Sequence, residues 1–223
     1  MMEGSFAALS VAERQRIVER ADRIRQHVNP LSVGYQAPIQ PPDWATVFPQ
    51  PQHPLHVDMG CGAGRFVLQL AQQQPEWNVV GLEIRKPLVD RANLWRLDAG
   101  IRNAYFLFTN ATIHQETLFP PTSLSRLTIQ FPDPWFKKRH HKRRLVQPGL
   151  VAALAEQLRP DSLVFVQSDV AEVASEIVTH FAQHPAFSSP EPVAVNPFGL
   201  PTEREQSCLA QGLAIVRYQL WRR

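Results

Sequence analysis

Cysteine is scarce in this chain of 223 residues, which contains Cys61, Cys208 and no other. Two cysteines so far apart in sequence do not make a disulfide framework, and neither lies in a Cys-x-x-Cys motif. The eight histidines do not combine with them at the spacing of zinc ligands. This scarcity argues against disulfide-rich secreted domains and zinc modules, and we expect no metal site.

Long apolar runs are also lacking. No stretch approaches the roughly 20 apolar residues that a membrane span needs, and residues 1–25 lack the apolar core of a signal peptide. With 44% hydrophobic residues, the chain can nevertheless bury a full core. We expect a cytoplasmic protein with no membrane partner, as a monomer or a homodimer, built on one domain with a short N-terminal appendage.

Acidic residues are missing from residues 137–144, which hold six of the 23 Lys and Arg residues. Outside this basic run, 17 basic residues face 20 acidic ones, so the basicity of the chain is local. A concentrated basic run is what contacts to nucleic acid phosphates require. A solvated loop without a partner is the alternative.

The basic run follows directly on Phe131-Pro132-Asp133-Pro134-Trp135. Each proline fixes its own φ and restricts the residue before it, so the sequence predicts a rigid turn that presents Asp133. An acidic side chain held beside a basic run indicates chemistry on a polyanion. Alternatively, Asp133 only completes a proline-rich turn. Trp135 could either stack on a base or pack in the core.

Residues 1–54 predict an N-terminal helix followed by a proline-rich connection. Ser10 and Glu13 form a capping box, and apolar residues recur at helical spacing as far as Val28. Seven prolines then lie between residues 30 and 54, where no periodicity persists. We therefore separate residues 1–54 from the main domain, residues 55–223.

From residue 55 onward, short apolar strands alternate with helical patterns. This alternation predicts right-handed βαβ units and an α/β fold with a doubly wound, mostly parallel sheet. A final strand over residues 214–221 is expected to be antiparallel. The ligand should lie outside the carboxyl ends of the strands. The predicted strands are 55–58, 78–83, 104–108, 125–131 and 162–167, and the predicted helices are 65–74, 86–99, 147–158, 170–182 and 206–212.

Gly60, Gly62 and Gly64 follow the first predicted strand and precede a helix. Glycine lets the backbone approach a ligand closely at a helix N-terminus. The G-x-G-x-G spacing is tighter than the dinucleotide fingerprint G-x-G-x-x-G, which disfavours an NAD-dependent dehydrogenase. S-adenosylmethionine has no phosphate and fits such a turn, and Asp58 at the strand end is placed to meet its ammonium group.

Two further polar residues end neighbouring strands. Glu83 ends the second strand, where a carboxylate can accept hydrogen bonds from ribose hydroxyls. Asn110 follows the third strand at the same edge, where its amide could meet an adenine. The alternatives are helix capping or surface charge for Asp58 and Glu83, and an ordinary turn for Asn110.

Four motifs together resemble the bacterial-type tRNA (guanine-N7)-methyltransferase family. They are D-M-G-C-G-A-G-R-F, G-L-E-I-R, F-P-D-P-W-F-K-K-R-H-H-K-R-R and P-T-E-R-E. The resemblance implies a Rossmann-like class I methyltransferase with a seven-stranded sheet. It also implies that S-adenosyl-L-methionine donates a methyl group to N7 of the variable-loop guanine, position 46, of tRNA. The block around Asp133 is specific to this family, whereas the glycine motif is shared by most class I methyltransferases.

The resemblance also assigns roles to individual residues. The implied cofactor residues are Asp58, Gly60, Gly62, Gly64, Glu83, Asn110 and Asp133, and Asp133 is also the implied catalytic residue. The implied substrate residues are Lys137, Asp169, Thr202, Glu203, Arg204 and Glu205. The implied RNA-binding residues are Arg139, His140, His141, Lys142, Arg143 and Arg144. This chain departs from the family pattern at Asp58, where the family usually has Glu, and at Asn110, where it usually has Asp.

The residues themselves leave some roles open. The Glu205 carboxylate is complementary to the N1–H and N2–H donors of guanine, but Thr202-x-x-Glu205 is also a capping box. Asp169 has the same two interpretations, with Glu172 as its capping partner. A methyltransferase acting on another RNA, or a non-catalytic RNA-binding protein that uses only residues 137–144, remains an alternative function.

Overall fold

A computed structural model describes residues 6, 8–25 and 27–223. Its centre is a seven-stranded sheet in the order β3-β2-β1-β4-β5-β7-β6. The strands are β1 (Leu55–Met59), β2 (Asn78–Glu83), β3 (Ala104–Phe108), β4 (Leu124–Gln130), β5 (Leu158–Ser168), β6 (Glu191–Pro192) and β7 (Val216–Trp221). Strands β1 to β5 run parallel, and β7 pairs antiparallel between β5 and β6. The predicted α/β fold with an antiparallel C-terminal strand is confirmed.

The strand order reverses between β1 and β4, so the chain winds outward in both directions from this pair. A crevice opens at such a switch point, outside the carboxyl ends of the strands. Asp58 lies near the end of β1, and Gln130 is the last residue of β4. The topology therefore places polar side chains from two strands that are far apart in sequence at one crevice.

Helices cover both faces of the sheet. They are α1 (Val11–Asp22), α2 (Trp44–Val47), α3 (Arg65–Gln73), α4 (Lys86–Asp98), α5 (Ala111–Leu118), α6 (Pro148–Gln157), α7 (Ala171–Ala182) and α8 (Glu203–Ala210). One apolar core contains Phe66 and Leu70 of α3 with Phe106 of β3. A larger core contains Leu154 of α6 and Phe181 of α7. Strands β1 and β2, which are buried along their whole length, separate these cores.

The N-terminal helix is shorter than its apolar spacing predicts. The predicted capping box at Ser10 and Glu13 is confirmed, but α1 ends at Asp22 rather than reaching Val28. Beyond it the chain turns so that Val28 lies against a pocket of the main domain. Helix α1 is held on α4 by the ion pair of Asp22 with Arg91, at 2.6 Å.

The proline-rich connection contains structure that the sequence patterns did not predict. A 3₁₀ helix spans Val33–Tyr35, and the short helix α2 follows. In α2 the indole of Trp44 stacks on Phe119 at 4.9 Å and donates a hydrogen bond to the Leu118 carbonyl. This packing joins the connection to the main core. The division at residue 54 stays a prediction.

Other boundaries also differ from the predictions. Helix α5 was not predicted, and α8 begins at Glu203 rather than at residue 206 because Thr202 is its N-cap. Strand β4 ends one residue early, since Phe131 adopts a φ of 48°. The basic run is not an irregular loop, because Lys138–Arg143 forms a 3₁₀ helix.

Gly64 provides a test of how tightly α3 and α4 approach the sheet. Its φ is 80°, and an added Cβ would lie 2.5 Å from Cε1 of Phe106. Gly64→Ala should lower the free energy of unfolding by about 2–5 kcal/mol, from left-handed strain together with overpacking. Gly100→Ala is the control, because Gly100 has a φ of 66° with nothing within 4 Å. Its cost should be about 1–2 kcal/mol. Equal losses in urea denaturation would contradict the packing argument.

Candidate active site

A cleft of about 500 Å³ opens at the carboxyl ends of β1, β4 and β5. We call it the main cleft, and its walls include Asp58, Gly62, Asp133, Phe136, Asp169 and Thr202–Arg204. A smaller side pocket, lined by Val28, Pro30, Glu83, Asn110 and Trp135, adjoins it. Gly60, Arg85 and Asp133 line both cavities. The structure thus brings most of the predicted cofactor and substrate residues to one edge of the sheet.

The glycine turn leaves open space beside the main cleft. Gly60, Gly62 and Gly64 all have positive φ, and Gly64 is the N-cap of α3. A Cβ added at Gly62 would meet only the Arg85 guanidinium, at 3.9 Å. The backbone N–H of Gly62 donates to the Glu83 carboxylate at 2.9 Å. Glu83 therefore holds the turn in the shape that keeps this space free.

From the described residues, the Glu83 carboxylate accepts four hydrogen bonds. Besides the bond from Gly62, it accepts one from the Arg85 backbone N–H and two from the Arg85 guanidinium, at 2.8 and 3.0 Å. This paired contact is the strong arrangement of a guanidinium with a carboxylate. The side chain of Glu83 is only 3% exposed. A ligand hydroxyl at Glu83 therefore has to replace part of the Arg85 contact.

Asp58 is a buried carboxylate whose Oδ1 accepts two hydrogen bonds. The Thr128 hydroxyl donates to it at 2.6 Å and the Gln130 amide at 3.1 Å. Burial raises the pKa of Asp58 from its ordinary 3.8 to about 6, against the opposing effect of these two donors. The charge of nearby Glu83 contributes to this rise in the pKa of Asp58. Among the described residues, no cation pairs with Asp58, and the site therefore favours a cation beside it.

Thr128 also determines which ring nitrogen of His56 carries the proton. His56 lies on β1, two residues before Asp58. The hydroxyl proton of Thr128 points to Asp58, so its oxygen accepts from Nε2 of His56 at 3.0 Å. Burial, with the charge of Arg126, holds the pKa of His56 well below its usual value. His56 is therefore a neutral imidazole protonated on Nε2, and a chain of hydrogen bonds runs from His56 through Thr128 to Asp58.

A second chain of buried hydrogen bonds leads from Asp58 to Glu205 on α8. Gln130 donates to Asp58 and accepts from the Gln167 amide at 2.8 Å, and that amide also donates to Glu205 at 2.9 Å. Arg217 on β7 donates to both Gln167 and Glu205. No sequence motif indicates Gln130, Gln167 or Arg217. Their only signal is a position on the carboxyl-terminal half of β4 and β5, or opposite it on β7.

Glu205 is fully engaged within the protein. Burial alone would raise its pKa, but hydrogen bonds from Gln167, Asn196 and Arg217 hold that pKa below the usual value. Half of the predicted capping box is present, since the Thr202 hydroxyl accepts from the Glu205 backbone N–H at 3.1 Å. The Glu205 side chain instead joins the buried hydrogen bonds behind the cleft. Its recognition of guanine stays a prediction.

Asp133 lies in a turn with two left-handed residues. Phe131 and Trp135 have φ values of 48° and 41°, which are unfavourable for bulky side chains. With prolines on either side, the backbone position of Asp133 is narrowly defined. Its Oδ1 contacts Nδ1 of His27 at 2.7 Å. Burial raises the pKa of Asp133, although His27 and Arg85 partly offset this effect.

The amide of Asn110, which was expected to meet an adenine, instead contacts the proline-rich connection. Its amide nitrogen donates to the carbonyl of Pro30 at 2.8 Å and approaches that of Tyr35 at 3.4 Å. Asn110 is buried at the N-cap of α5. It therefore fastens the proline-rich connection over the side pocket, and a contact with a cofactor stays a prediction.

The predicted substrate residues on the opposite wall form ion pairs. Asp169 pairs with Arg204, and Arg65 pairs with Glu203 at 2.7 Å. Asp169 does not cap α7, since the N-cap is Val170. The capping interpretation of Asp169 is therefore wrong, and its carboxylate faces the main cleft.

Arg144 does not share the exposure of the preceding basic residues. Its side chain is 4% exposed and forms ion pairs with Glu172 and Glu176 of α7. It also donates to the carbonyl of Pro134 at 2.9 Å. Although His141, Glu172 and Glu176 could together approach a metal ion, the Arg144 guanidinium already lies between the two carboxylates. Arg144 anchors the turn to α7, and the predicted contact of Arg144 with RNA does not fit this burial.

Two other residues of the basic run contact Trp135. The Arg143 guanidinium lies over the Trp135 ring at 5.0 Å, and His140 contacts its edge at 5.7 Å. Lys137, Lys138, Arg139 and Lys142 are exposed. Trp135 therefore supports the basic run from within, while these four side chains extend into solvent.

Comparisons with known proteins agree with this geometry. The family model Methyltransf_4, described as "Putative methyltransferase", matches residues 52–218. A tRNA (guanine-N(7)-)-methyltransferase of Synechococcus sp. (strain JA-3-3Ab) is 59% identical over 203 residues, which cover 90% of this chain and 86% of that protein. The chain belongs to the tRNA (guanine-N7)-methyltransferase family. The protein of that name from Synechocystis sp. (strain ATCC 27184 / PCC 6803 / Kazusa) is 49% identical over 206 residues, 90% of this chain and 97% of the relative.

Solved structures share the fold of this methyltransferase at low sequence identity. The 16S rRNA methyltransferase KamB superposes with a TM-score of 0.57 at 15% identity, covering 81% of this chain and 91% of KamB. Phosphoethanolamine N-methyltransferase 2 of Haemonchus contortus, solved in complex with S-adenosyl-L-methionine, gives a TM-score of 0.52 at 11% identity. This match covers 96% of this chain and 53% of that protein. These likenesses confirm the class I methyltransferase fold.

Among the described residues, no helix of the methyltransferase is both long and apolar enough to cross a membrane.

The buried charge of Asp58 predicts a stabilising substitution. The folded-state pKa of about 6 exceeds the ordinary 3.8, so ionisation costs stability as pH rises through this window. Asp58→Asn keeps an oxygen that accepts from Thr128 and Gln130. It should raise the free energy of unfolding by up to about 3 kcal/mol at pH 7, and the gain should vanish near pH 4.

Urea denaturation between pH 4 and pH 8 measures this effect. The exposed Asp161 adopts a φ of 63°, which Asn tolerates, so Asp161→Asn is the control and should show no such gain. A pH-independent difference between Asp58→Asn and the wild type would contradict the assignment.

Proposed function

We propose that the protein transfers the methyl group of S-adenosyl-L-methionine to N7 of the variable-loop guanine, position 46, of a cytoplasmic tRNA. The observation that carries this proposal is the position of Asp133. It lies where the main cleft and the side pocket meet, four residues before a run of exposed basic side chains. The names of the close relatives support both the reaction and the substrate.

The cavities fit the two ends of the cofactor. In the main cleft, Gly62 leaves space beside the backbone, and Asp58 presents a buried carboxylate that favours a cation. An ammonium group is such a cation. In the side pocket, Glu83 and Asn110 offer a carboxylate and an amide at the ends of β2 and β3. We assign Asp58, Gly60, Gly62 and Gly64 to the amino acid end, and Glu83 and Asn110 to the nucleoside end.

S-adenosyl-L-methionine, when bound, supplies an electrophilic methyl group on a positively charged sulfur. Guanine N7 carries an in-plane lone pair and no proton, so Asp133 is not required as a general base. Its task is electrostatic, because the carboxylate can stabilise the positive charge that passes to the purine. The rigid turn fixes this carboxylate before the substrate arrives. Positioning of the reacting groups can contribute roughly 7–11 kcal/mol in such reactions.

The substrate enters beside the basic run. Lys137, Lys138, Arg139 and Lys142 extend from one end of the cleft, where they can contact phosphates of a folded RNA. The ion pair of Asp169 with Arg204 and that of Glu203 with Arg65 line the opposite wall. We assign Asp169 and Thr202–Arg204 to the nucleoside that accepts the methyl group.

The catalytic assignment predicts a rate effect at Asp133. Asp133→Asn keeps the shape of the side chain and removes its charge. Single-turnover methyl transfer at saturating cofactor and tRNA should fall by about 10²–10³-fold, the scale of losing a preorganised electrostatic group. Nuclease digestion and mass spectrometry of the tRNA should detect N7-methylguanosine with the wild-type enzyme. A wild-type rate for Asp133→Asn would leave Asp133 a structural residue of the turn. Absence of N7-methylguanosine with the wild type would reject the proposed reaction.

The basic run predicts the salt dependence of tRNA binding. Replacing Lys138, Arg139 and Lys142 by Ala should weaken binding and reduce the slope of log K against log salt concentration by about 2–3. Each lost phosphate contact contributes roughly 0.7–0.9. Arg16, Arg20 and Arg23, exposed near the N-terminus, provide the matched triple control. A reduced slope in this control alone would place the RNA surface on α1.

A further inference from the structure

Phe136 is an exposed aromatic side chain on the wall of the main cleft. It is 72% exposed, and no other large apolar side chain that is exposed in the described part of the chain is aromatic. Leaving a phenylalanine in water forgoes the favourable free energy of burying its ring. Single exposed apolar residues are common on protein surfaces, but Phe136 lies in a cavity with Asp133, Asp169 and Thr202.

The backbone and its neighbours define where Phe136 points. Trp135 lines the side pocket, whereas the next residue, Phe136, lines the main cleft. Arg143 and His140 hold the Trp135 ring, and Trp135 itself has a restrictive φ of 41°. The ring of Phe136 is thus presented from a constrained segment. When a ligand contacts this ring, the protein backbone loses little further conformational freedom.

The surroundings identify the chemistry of the occupant. A flat apolar ring beside carboxylates and hydroxyls suits a flat group with polar edges. Lys137, Lys138 and Arg139 follow Phe136 directly and are exposed, so the same occupant carries negative charge nearby. A nucleobase within an RNA strand has both properties, because bases stack on aromatic side chains and phosphates pair with cations.

We propose that Phe136 stacks on the guanine that accepts the methyl group, which rests on the proposed function. Hydrogen bonds to the edges of the base fix its position within its own plane. Contact with the face fixes the plane itself, and the N7 lone pair lies in that plane. Phe136 therefore sets the angle at which N7 faces the cofactor side of the cleft.

Three variants at this position separate stacking from simple packing. Phe136→Ala should reduce the single-turnover rate at subsaturating tRNA by about 5–150-fold, which corresponds to the 1–3 kcal/mol of a base–aromatic stack. Phe136→Trp should restore most of the rate, whereas Phe136→Leu should not. Leu209→Ala removes an exposed apolar side chain outside both cavities and should leave the rate unchanged.

A fluorescence measurement reports stacking without methyl transfer. A tRNA with 2-aminopurine in place of the methyl-accepting guanine should differ in emission intensity between its complexes with Phe136→Ala and with the wild type, because emission depends on what the base stacks on. Equal brightness and equal rates in an enzyme that forms N7-methylguanosine would overturn the role of Phe136 alone, as would full rescue by Leu. A wild type that forms no N7-methylguanosine overturns the proposed function and this role with it.

Discussion

The buried hydrogen bonds that lead from Asp58 through Gln130 and Gln167 to Glu205 are the constraint on which the site depends. They join β1, β4, β5 and α8, elements that are far apart in sequence, at the one edge where the sheet changes direction. Each amide both donates and accepts, so neither can flip without losing partners. Because unpaired polar groups are costly inside a protein, these bonds define the relative position of the two cleft walls.

The turn around Asp133 is held by contacts with α7 and the basic run, which lie outside the sheet. Arg144 ties the Pro134 carbonyl to two carboxylates of α7, and the Arg143 guanidinium lies on the Trp135 ring. The basic run therefore has two parts with different tasks. Its buried end supports the turn around Asp133, while its exposed members extend into solvent.

Much of the fold was predictable because its signals are local or periodic. The alternation of strands and helices, the glycine turn and the Ser10 capping box each depend on neighbouring residues. The helix α5 and the stacking of Trp44 were missed, because long-range packing decides them. The partners of Glu205 were missed for the same reason, since Gln167 and Arg217 acquire their meaning only when β5 pairs with β7. In the composition, Arg144 is one of six Lys and Arg residues in the basic run. Only its burial in the folded protein distinguishes it from the others.

The hydrogen bond from Asn110 to the Pro30 carbonyl connects the residue at position 110 with the N-terminal connection. The family that this chain resembles usually has Asp at this position, and a carboxylate cannot donate a hydrogen bond to a carbonyl when ionised. Asn110 donates a hydrogen bond to the N-terminal connection that an ionised Asp could not provide. An Asp at this position would leave that connection to be held by other contacts. The residue at 110 and the sequence near 30 should therefore change together across the family.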